Sequence, residues 1–218
     1  MLSVACFTGM GNISASAAAP TYRHVRTDSM RIALTFDDGP HPTQTQRILD
    51  ILDRYSVRAT FFMIGSNVEY YPKVARDVIA RGHEVGNHTY SHRRLSKLEV
   101  SDLSEELRLC EAALERLCDY HPSLFRPPEG YLNDGVLRCS ETGDYSLILW
   151  SVDTRDWETK ETAHIVDTVL REIKPGDIIL MHDYVAKSKT PEALEILLPK
   201  LLALGYEPVT VSELIGIG

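Results

Sequence analysis

Several features that define other protein classes are missing from this sequence. None of its apolar runs approaches the length of a transmembrane helix, so no membrane-spanning segment is expected. It has no CxxC pair, which argues against a zinc knuckle or a redox dithiol. Its 23 Lys and Arg are outnumbered by 31 Asp and Glu, and the formal charge of -8 argues against a nucleic-acid-binding protein with a basic face.

Cysteine is scarce, and the spacing of the cysteines does not favour disulfides. Cys110 and Cys118 lie eight residues apart on a predicted helix, which is too far along its axis for them to bridge each other. Cys139 is the alternative disulfide partner for either of them if the fold brings the two thiols together. Buried free thiols are the favoured interpretation.

Basic residues are absent from the first part of the chain, before Arg23. This segment is small and mildly apolar, and Ala15-Ser16-Ala17 has the small-x-small pattern of a cleavage site, but the positive start of a signal peptide is missing. We therefore predict an export-signal remnant or spacer over residues 1–28, with a disordered terminus as the alternative. A single catalytic domain is predicted over 29–218, and an extracellular or cell-wall location is the expectation.

Short apolar runs alternate with helical patterns from residue 30 onward, and the pattern has no internal repeats. Strands are predicted at 31–36, 58–64, 83–86, 124–125, 146–150, 178–181 and 208–211. Helices are predicted at 43–54, 72–81, 98–118, 133–142, 161–173 and 191–204. This α/β alternation indicates a parallel sheet, and the short length favours an irregular or incomplete (β/α) barrel. The competing open, doubly wound sheet lacks a glycine-rich phosphate loop after its first strand.

Polar clusters follow five of the predicted strands directly. They are Asp37-Asp38, the segment 87–92 (NHTYSH), the segment 126–130 (RPPEG), the segment 151–157 (SVDTRDW) and His182-Asp183. The carboxyl ends of parallel strands converge on one mouth, where active sites of α/β proteins form. The clustering of histidines and carboxylates at that end predicts an enzyme.

The HTYSH segment supplies His88 and His92 with i, i+4 spacing, which on a helical turn would put both rings on one face. Two such rings can hold a metal ion, although two surface histidines fit the pattern equally well. A carboxylate from the Asp37-Asp38 pair would complete a three-ligand site with an open position, as in catalytic zinc sites. Alone, Asp-Asp-Gly is more typical of a polar turn.

Taken together, TFDDGP, HTYSH, FRPPEG, DTRDW and LMHD resemble, in order and spacing, the five motifs of the NodB-homology polysaccharide deacetylases. This carbohydrate esterase family includes peptidoglycan deacetylases, chitin deacetylases and acetylxylan esterases. The resemblance spans about residues 30–215. It implies an incomplete (β/α) barrel of the NodB type.

The resemblance also implies roles at the matching positions. Asp38, His88 and His92 would bind one divalent metal ion, for which Zn²⁺ is favoured and Co²⁺ or another first-row ion is possible. Asp37 would stay off the metal as the general base that deprotonates the attacking water. Arg126 would pair with Asp37 and keep it ionised.

The later motifs imply the acid and the substrate contacts. His182 would protonate the leaving amine, with Asp156 orienting its ring. The backbone N–H of Glu129 would stabilise the oxyanion, although many family members carry Tyr at this position, and a carboxylate here could alter substrate choice. Trp157 would form a wall and Leu180 would line the pocket for the acetyl methyl, unless both are ordinary core residues.

The function that the resemblance implies is hydrolysis of N-acetyl groups on an amino-sugar polysaccharide. Peptidoglycan, at its N-acetylglucosamine or N-acetylmuramic acid residues, is the leading substrate, and chitin oligomers come next. The chain is expected to be monomeric. An O-acetyl esterase acting on acetylxylan is the close alternative, because the same groups can cleave an ester. An inactive carbohydrate-binding domain is a distant alternative, which would predict a missing base or ligand.

Overall fold

The computed structural model describes residues 19–184 and 188–217, and within them the chain forms one α/β domain. The strands are β1 (Thr21–Tyr22), β2 (Arg31–Asp37), β3 (Thr60–Met63), β4 (Glu84–Asn87), β5 (Leu124–Phe125), β6 (Ser146–Ile148), β7 (Val152–Asp153), β8 (Ile178–His182) and β9 (Glu207–Val209). The helices are α1 (Gln44–Arg54), α2 (Gly65–Tyr70), α3 (Pro72–Ala80), α4 (Val100–Cys118), α5 (Asp134–Thr142), α6 (Thr162–Glu172), α7 (Thr190–Ala203) and α8 (Val211–Ile215).

The strands form one parallel sheet in the order β1-β6-β5-β4-β3-β2-β8-β7, with β9 pairing with β2. Although β6 and β7 lie at or near opposite ends of this order, only residues 149–151 separate them along the chain. The sheet therefore has to curl so that its ends approach each other. This confirms the predicted incomplete (β/α) barrel.

Strand β2 shows how the sequence divides between the two faces of the sheet. Ile32, Leu34 and Phe36 pack outward in the main core cluster with α1 and α7, whereas Ala33 belongs to the inner cluster. Because side chains alternate along a strand, Asp37 shares the inward orientation of Ala33. The apolar residues of β2 thus anchor the strand while its last residue reaches the barrel interior.

The structure differs from the sequence predictions in several elements. The predicted strand 208–211 ends at Val209, and α8 begins at Val211 behind a capping box in which Thr210 accepts a hydrogen bond from the Glu213 N–H. Strands β1 and β7 and helix α2 were not predicted, because they are short and carry little periodicity.

The predicted domain start at residue 29 also differs from the structure. Thr21 and Tyr22 pair with Leu147 and Ile148 of β6, so the sheet already includes residues before 29. The prediction of an export-signal remnant falls largely on residues 1–18, which lie outside the described residues.

The three cysteines in the described part of the chain, Cys110, Cys118 and Cys139, are free thiols. Burial raises the pKa of the Cys110 thiol to about 12, which keeps it protonated and unreactive. Within residues 19–184 and 188–217, no helix combines the length and apolarity needed to cross a membrane.

Candidate active site

Strand register brings the polar clusters to one end of the sheet. Asp37 at the end of β2 is paired with His182 at the end of β8. Asn87 at the end of β4 is paired with Phe125 of β5, so the next residues of the two strands, His88 and Arg126, are also neighbours. Clusters far apart in sequence therefore meet because their strands are parallel and in register.

The two adjacent aspartates take different directions because the backbone leaves the strand between them. Asp37 is still in β2 and is buried, whereas Asp38 has a left-handed backbone (φ 73°) and is partly exposed. Gly39 follows, and a β-carbon at that position would overlap the carboxylate of Asp183. The Gly39-Pro40 peptide is cis.

Arg126 is fully buried, and each nitrogen of its guanidinium has an acceptor. Nη1 donates to Asp37 Oδ1 (2.7 Å) and to Thr35 Oγ1 (2.8 Å), while Nε and Nη2 donate to the carbonyls of Ile148 (3.2 Å) and Leu149 (3.1 Å). A buried cation requires such compensation. The arrangement fixes the Asp37 carboxylate through Oδ1 and leaves Oδ2 facing the cavity side.

Asp38, His88 and His92 form the only group of metal-ligand type that the described residues contain, with donor atoms within 4.8 Å of one another. Asp38 Oδ1 lies 3.4 Å from His88 Nε2 and 3.3 Å from His92 Nε2. This oxygen is buried and has no hydrogen-bond partner in the described part of the chain. His88 Nδ1 donates to the Arg126 carbonyl (2.7 Å), which leaves the Nε2 lone pair directed at Asp38.

These donors fit a divalent first-row cation. Two imidazole nitrogens and one carboxylate oxygen are a common catalytic set, and an ion among them would satisfy the unpaired oxygen of Asp38. Burial alone would raise the pKa of Asp38, but contact with His88 and the charges of His88, His182 and His92 outweigh it and lower that pKa to about 2. The carboxylate is thus ionised, as a ligand must be.

HTYSH does not form the helical turn on which i, i+4 spacing would put both rings on one face. Residues 88–94 form a loop in which Thr89 (φ 65°) and His92 (φ 51°) have left-handed backbones. Ser91 N and Oγ donate to the two carboxylate oxygens of Glu106 on α4 (2.7 and 2.6 Å). The Asn87 carboxamide accepts from Thr89 N (2.9 Å). The two rings therefore meet through a loop held by side chains and not through helical spacing.

His182 is held by Asp156 in two places. Its Nδ1–H donates to Asp156 Oδ1 (2.7 Å) and its backbone N–H donates to Oδ2 (2.8 Å). Burial alone would lower the pKa of His182, but the hydrogen bond and charge of Asp156, with smaller contributions from Asp37 and Asp38, raise it to about 9. At neutral pH the ring is therefore an imidazolium that can donate a proton.

A cavity of about 440 Å³ collects the site residues. Its lining contains the predicted residues Asp37, Asp38, His88, His92, Glu129, Trp157, Leu180 and His182, together with Trp150 and Asp153. Arg126 and Asp156, the remaining two predicted residues, lie behind Asp37 and His182. All ten predicted site residues are thus brought together, while their roles remain predictions.

The substrate-facing residues differ in exposure. Leu180 is buried on β8, two residues before His182, and therefore faces the same side of the strand. Trp157 is 52% exposed, which argues against the alternative that it is an ordinary core residue. Glu129 has a left-handed backbone (φ 57°), and its exposed carboxylate lies 3.4 Å from Arg94 Nη2 at the rim.

Three supporting residues were not identified as part of the site from the sequence. Thr190 begins α7 and donates its hydroxyl to Asp156 Oδ2 (2.5 Å). Trp150 lines the cavity, with its ring centroid 5.8 Å from the Arg126 guanidinium carbon. Glu106 was indistinguishable from the other polar positions of an amphipathic helix, and a buried carboxylate has no signature in one sequence.

Asp183 is a second buried carboxylate beneath the Asp37–Gly39 turn. Its N–H donates to the Asp37 carbonyl (3.1 Å), and its Oδ2 accepts from Thr45 Oγ1 (2.5 Å). Burial, with the nearby charges of Asp38 and Asp37, raises the pKa of Asp183 to about 7, although the Thr45 hydrogen bond lowers it. It supports the turn and does not line the cavity.

Comparison with known proteins agrees with this geometry. The polysaccharide deacetylase family model matches residues 24–148. A peptidoglycan-N-acetylglucosamine deacetylase of Bacillus cereus is 43% identical over 187 residues, covering 84% of this chain and 87% of the relative. The peptidoglycan-N-acetylmuramic acid deacetylase PdaC of Bacillus subtilis is 42% identical over 183 residues, covering 84% of this chain but only 38% of the relative.

A solved structure extends the similarity to three dimensions. A crystal structure of a peptidoglycan N-acetylglucosamine deacetylase superposes with a TM-score of 0.86 at 33% identity. The match covers 90% of this chain and 92% of that chain. The curled parallel sheet described above is therefore shared with it.

Proposed function

Because the chain belongs to the polysaccharide deacetylase family, we propose that it hydrolyses the N-acetyl groups of an amino-sugar polysaccharide. The proposal is supported by one cavity, which brings together three chemical groups. They are the Asp37 carboxylate held by Arg126, the three metal-ligand donors of Asp38, His88 and His92, and the imidazolium of His182. A base, a Lewis-acid site and an acid are the parts that amide hydrolysis requires.

Peptidoglycan is the substrate that we propose first, and chitin oligomers come second. Two relatives above 40% identity are named as peptidoglycan deacetylases, one acting on N-acetylglucosamine and one on N-acetylmuramic acid. Both substrates present the same acetamido group on a β-linked pyranose. We therefore assign the chain to the wall polymer as a class and leave the choice of sugar to the assay below.

Asp38, His88 and His92 would hold the cation, and Zn²⁺ is our proposal because imidazole and carboxylate ligands suit it. When bound, such a cation supplies Lewis acidity, which lowers the pKa of water and polarises the acetyl carbonyl. The direct hydrogen bond from His88 Nδ1 to a main-chain carbonyl supports this role, since ligating histidines are usually oriented in this way.

Asp37 would act as the general base. Arg126 donates to Oδ1 and orients the carboxylate, while Oδ2 remains available to take a proton from the attacking water. The hydroxide part of that water adds to the acetyl carbon. Asp37 cannot drift toward the cation site, because Arg126 is itself fixed by two main-chain carbonyls.

His182 would act as the general acid. As the carbon–nitrogen bond breaks, the imidazolium gives its Nε2 proton to the leaving nitrogen, so that acetate and a free amine are produced. Asp156 keeps the ring charged and oriented. The backbone N–H of Glu129 would stabilise the oxyanion, while Leu180 and Trp157 would enclose the acetyl methyl in an apolar corner.

We propose an extracellular or wall-associated location and a monomeric state for the chain. The wall polymers on which the named relatives act support the location, since they lie outside the membrane. A cavity formed entirely within one chain supports the monomer.

The test is acetate release from peptidoglycan, chitohexaose and acetylxylan measured side by side. We expect release from the two amide substrates, loss of release with a chelator, and recovery with Zn²⁺ or Co²⁺. Release from acetylxylan alone would instead identify an O-acetyl esterase. Release that is indifferent to the chelator would refute the metal-dependent reaction.

A further inference from the structure

Four aromatic side chains lie together beside the catalytic cavity, and we call them the aromatic ledge: His41, Tyr70, Tyr71 and Tyr184. The ring centroids of Tyr70 and Tyr71 are 6.4 Å apart, those of Tyr71 and His41 6.4 Å, and those of His41 and Tyr184 5.6 Å. The rings thus form an unbroken row. None of the four lines the catalytic cavity itself.

The two ends of the aromatic ledge are open to solvent. Tyr70 is 77% exposed and Tyr184 is 42% exposed, which are high values for aromatic side chains. Among the described residues, the hydroxyls of Tyr70, Tyr71 and Tyr184 have no hydrogen-bond partner. The three tyrosines therefore combine apolar faces with available donors and acceptors, whereas His41 Nδ1 accepts from the N–H groups of Thr43 and Gln44 (both 3.2 Å).

A chain of hydrogen bonds ties His41, in the middle of the aromatic ledge, to the catalytic turn. The His41 N–H donates to Thr45 Oγ1 (2.8 Å), and the Thr45 hydroxyl donates to Asp183 Oδ2 (2.5 Å). The Asp183 N–H in turn donates to the Asp37 carbonyl (3.1 Å). His41 therefore has a fixed position relative to the base.

The end formed by Tyr70 and Tyr71 is tied to the cation site through α2. Asn67 Nδ2 donates to the Asp38 carbonyl (2.8 Å), and the Asn67 carbonyl accepts from the Tyr71 N–H (2.8 Å). Tyr70 thus ends, and Tyr71 directly follows, a helix whose Asn67 contacts Asp38. The aromatic ledge comes from the segments that follow β8, β2 and β3, which are adjacent strands, and the ends of β2 and β8 carry Asp37 and His182.

We propose that the aromatic ledge binds the pyranose units that neighbour the unit being deacetylated. This inference rests on the proposed function. A β-linked pyranose has flat C–H faces that stack on aromatic rings, and its hydroxyls would pair with the tyrosine hydroxyls. A row of rings fits a linear polymer better than it fits a single compact ligand. The occupant is therefore the substrate's own chain, beyond the reacting sugar.

A second copy of this chain is the competing occupant. Stable interfaces bury about 800 Å² on each partner, and four rings of which only Tyr70 and Tyr184 are exposed supply far less than that. Hydrogen-bond links to the backbone of Asp37 and Asp38 are expected for a substrate subsite and have no reason to occur in a dimer contact. A dimer contact predicts that the tyrosine substitutions change the oligomeric state and not the binding of the hexamer.

The test compares Tyr70→Ala, Tyr184→Ala and the double variant with the unmodified protein on chitobiose and chitohexaose. Each lost ring should raise KM for the hexamer about 2- to 12-fold, the range for one aromatic contact, with kcat unchanged. The dimer is too short to span the ledge, so its kcat/KM should stay the same. Leu204→Ala, a similarly exposed apolar position at the end of α7, is the control and should change neither value.

Binding without turnover separates this proposal from the proposed function. Asp37→Asn, with and without the tyrosine substitutions, should be titrated with chitohexaose by calorimetry. If the unmodified protein releases no acetate, the deacetylase proposal fails, yet weaker binding by the tyrosine variants would still support the ledge. Equal effects on dimer and hexamer, no effect on either, or a change only in oligomeric state on a sizing column would overturn it.

Discussion

Asp156→Asn tests the assignment of His182 as the general acid most directly. Among the described residues, the Asp156 carboxylate hydrogen-bonds only to His182 and Thr190: Oδ1 accepts from His182 Nδ1 and Oδ2 accepts from the His182 N–H and the Thr190 hydroxyl. Asparagine keeps the shape and removes the charge. Because Asp156 lies behind His182 and does not belong to the cation-binding group, the substitution should leave metal content unchanged.

The magnitude follows from the pKa of His182, which is about 9 compared with its ordinary 6.5. That difference corresponds to about 3 kcal/mol favouring the imidazolium, and Asp156 is its main favourable cause. A cation at Asp38 would offset the contribution of that carboxylate but not the contribution of Asp156. If the pKa returns to its ordinary value, the protonated fraction near pH 7.5 falls about tenfold, and near pH 8.5 the loss approaches about 100-fold.

The direction of the pKa shift of His182 determines the shape of the pH profile. The acid must be protonated, so activity is lost as pH rises through the pKa of His182, and Asp156→Asn should move that alkaline limb down by about two pH units. Amide hydrolysis should suffer most, because an amine leaves only when protonated. An activated aryl acetate, whose phenolate leaves unassisted, should lose much less activity.

Asp153→Asn is the matched control, since Asp153 lines the same cavity but its carboxylate binds the Arg155 N–H and not His182. The assay is acetate release against pH for chitohexaose and for the aryl ester, with melting temperature followed in parallel. An unchanged alkaline limb in Asp156→Asn, or equal losses on amide and ester, would refute the assignment of His182 as the acid that Asp156 keeps protonated.

Three further predictions concern the metal, the fold and the cavity mouth. Asp38→Asn should lose bound metal, whereas Asp37→Asn should keep it and lose at least about 100-fold in kcat; equal metal contents with normal turnover would contradict the division of roles. His83 is buried, and burial with the charges of Arg81 and Arg58 lowers its pKa to about 4. As pH falls from about 6.5 to 4, His83 is therefore protonated in the unfolded state but not in the folded state, and up to about 3 kcal/mol of folding stability is lost. His83→Gln should flatten the melting temperature over that range, and parallel profiles would contradict this. Glu129→Gln should raise kcat/KM about 2- to 5-fold on glycans with a free lactyl carboxylate relative to chitin oligomers, which Glu158→Gln should not do.

The sheet could be predicted from the sequence because its central strands are continuous apolar runs. The predicted 31–36 and 178–181 match β2 and β8 within one residue at the carboxyl end. Helix α2 was missed because its six residues, GSNVEY, carry no helical apolar period. Strand β1 was missed because two residues that pair only at the sheet edge leave almost no pattern.

The residues of the site could be predicted from the sequence, whereas the contacts that hold them in place could not. Side chains such as Asp37 and His182 stand at strand ends in recognisable motifs. The partners of Arg126 include the carbonyls of Ile148 and Leu149, and main-chain groups carry no sequence signal. The left-handed loop that joins His88 to His92 depends on Glu106, a contact between distant segments that only the fold creates.

The Asp37-Asp38 doublet shows why two like charges can stand side by side. In a continued strand they would face opposite sides of the sheet, so one of them would point away from the cavity. The left-handed backbone at Asp38 returns its side chain to the side of Asp37. Three successive carbonyls hold this turn, each bonded by a different part of the fold: that of Asp37 by Asp183, that of Asp38 by Asn67 and that of Gly39 by Ile64.

Because these three hydrogen bonds come from β8, α2 and the end of β3, the turn forms only when the sheet is assembled. The repulsion between the two carboxylates is offset by separate partners: Arg126 for Asp37 and the two imidazoles for Asp38. Neighbours in sequence can therefore serve as base and ligand, since the turn gives each its own electrostatic environment. Loss of any one carbonyl bond should disturb both roles together, whereas loss of a side-chain partner should disturb only one.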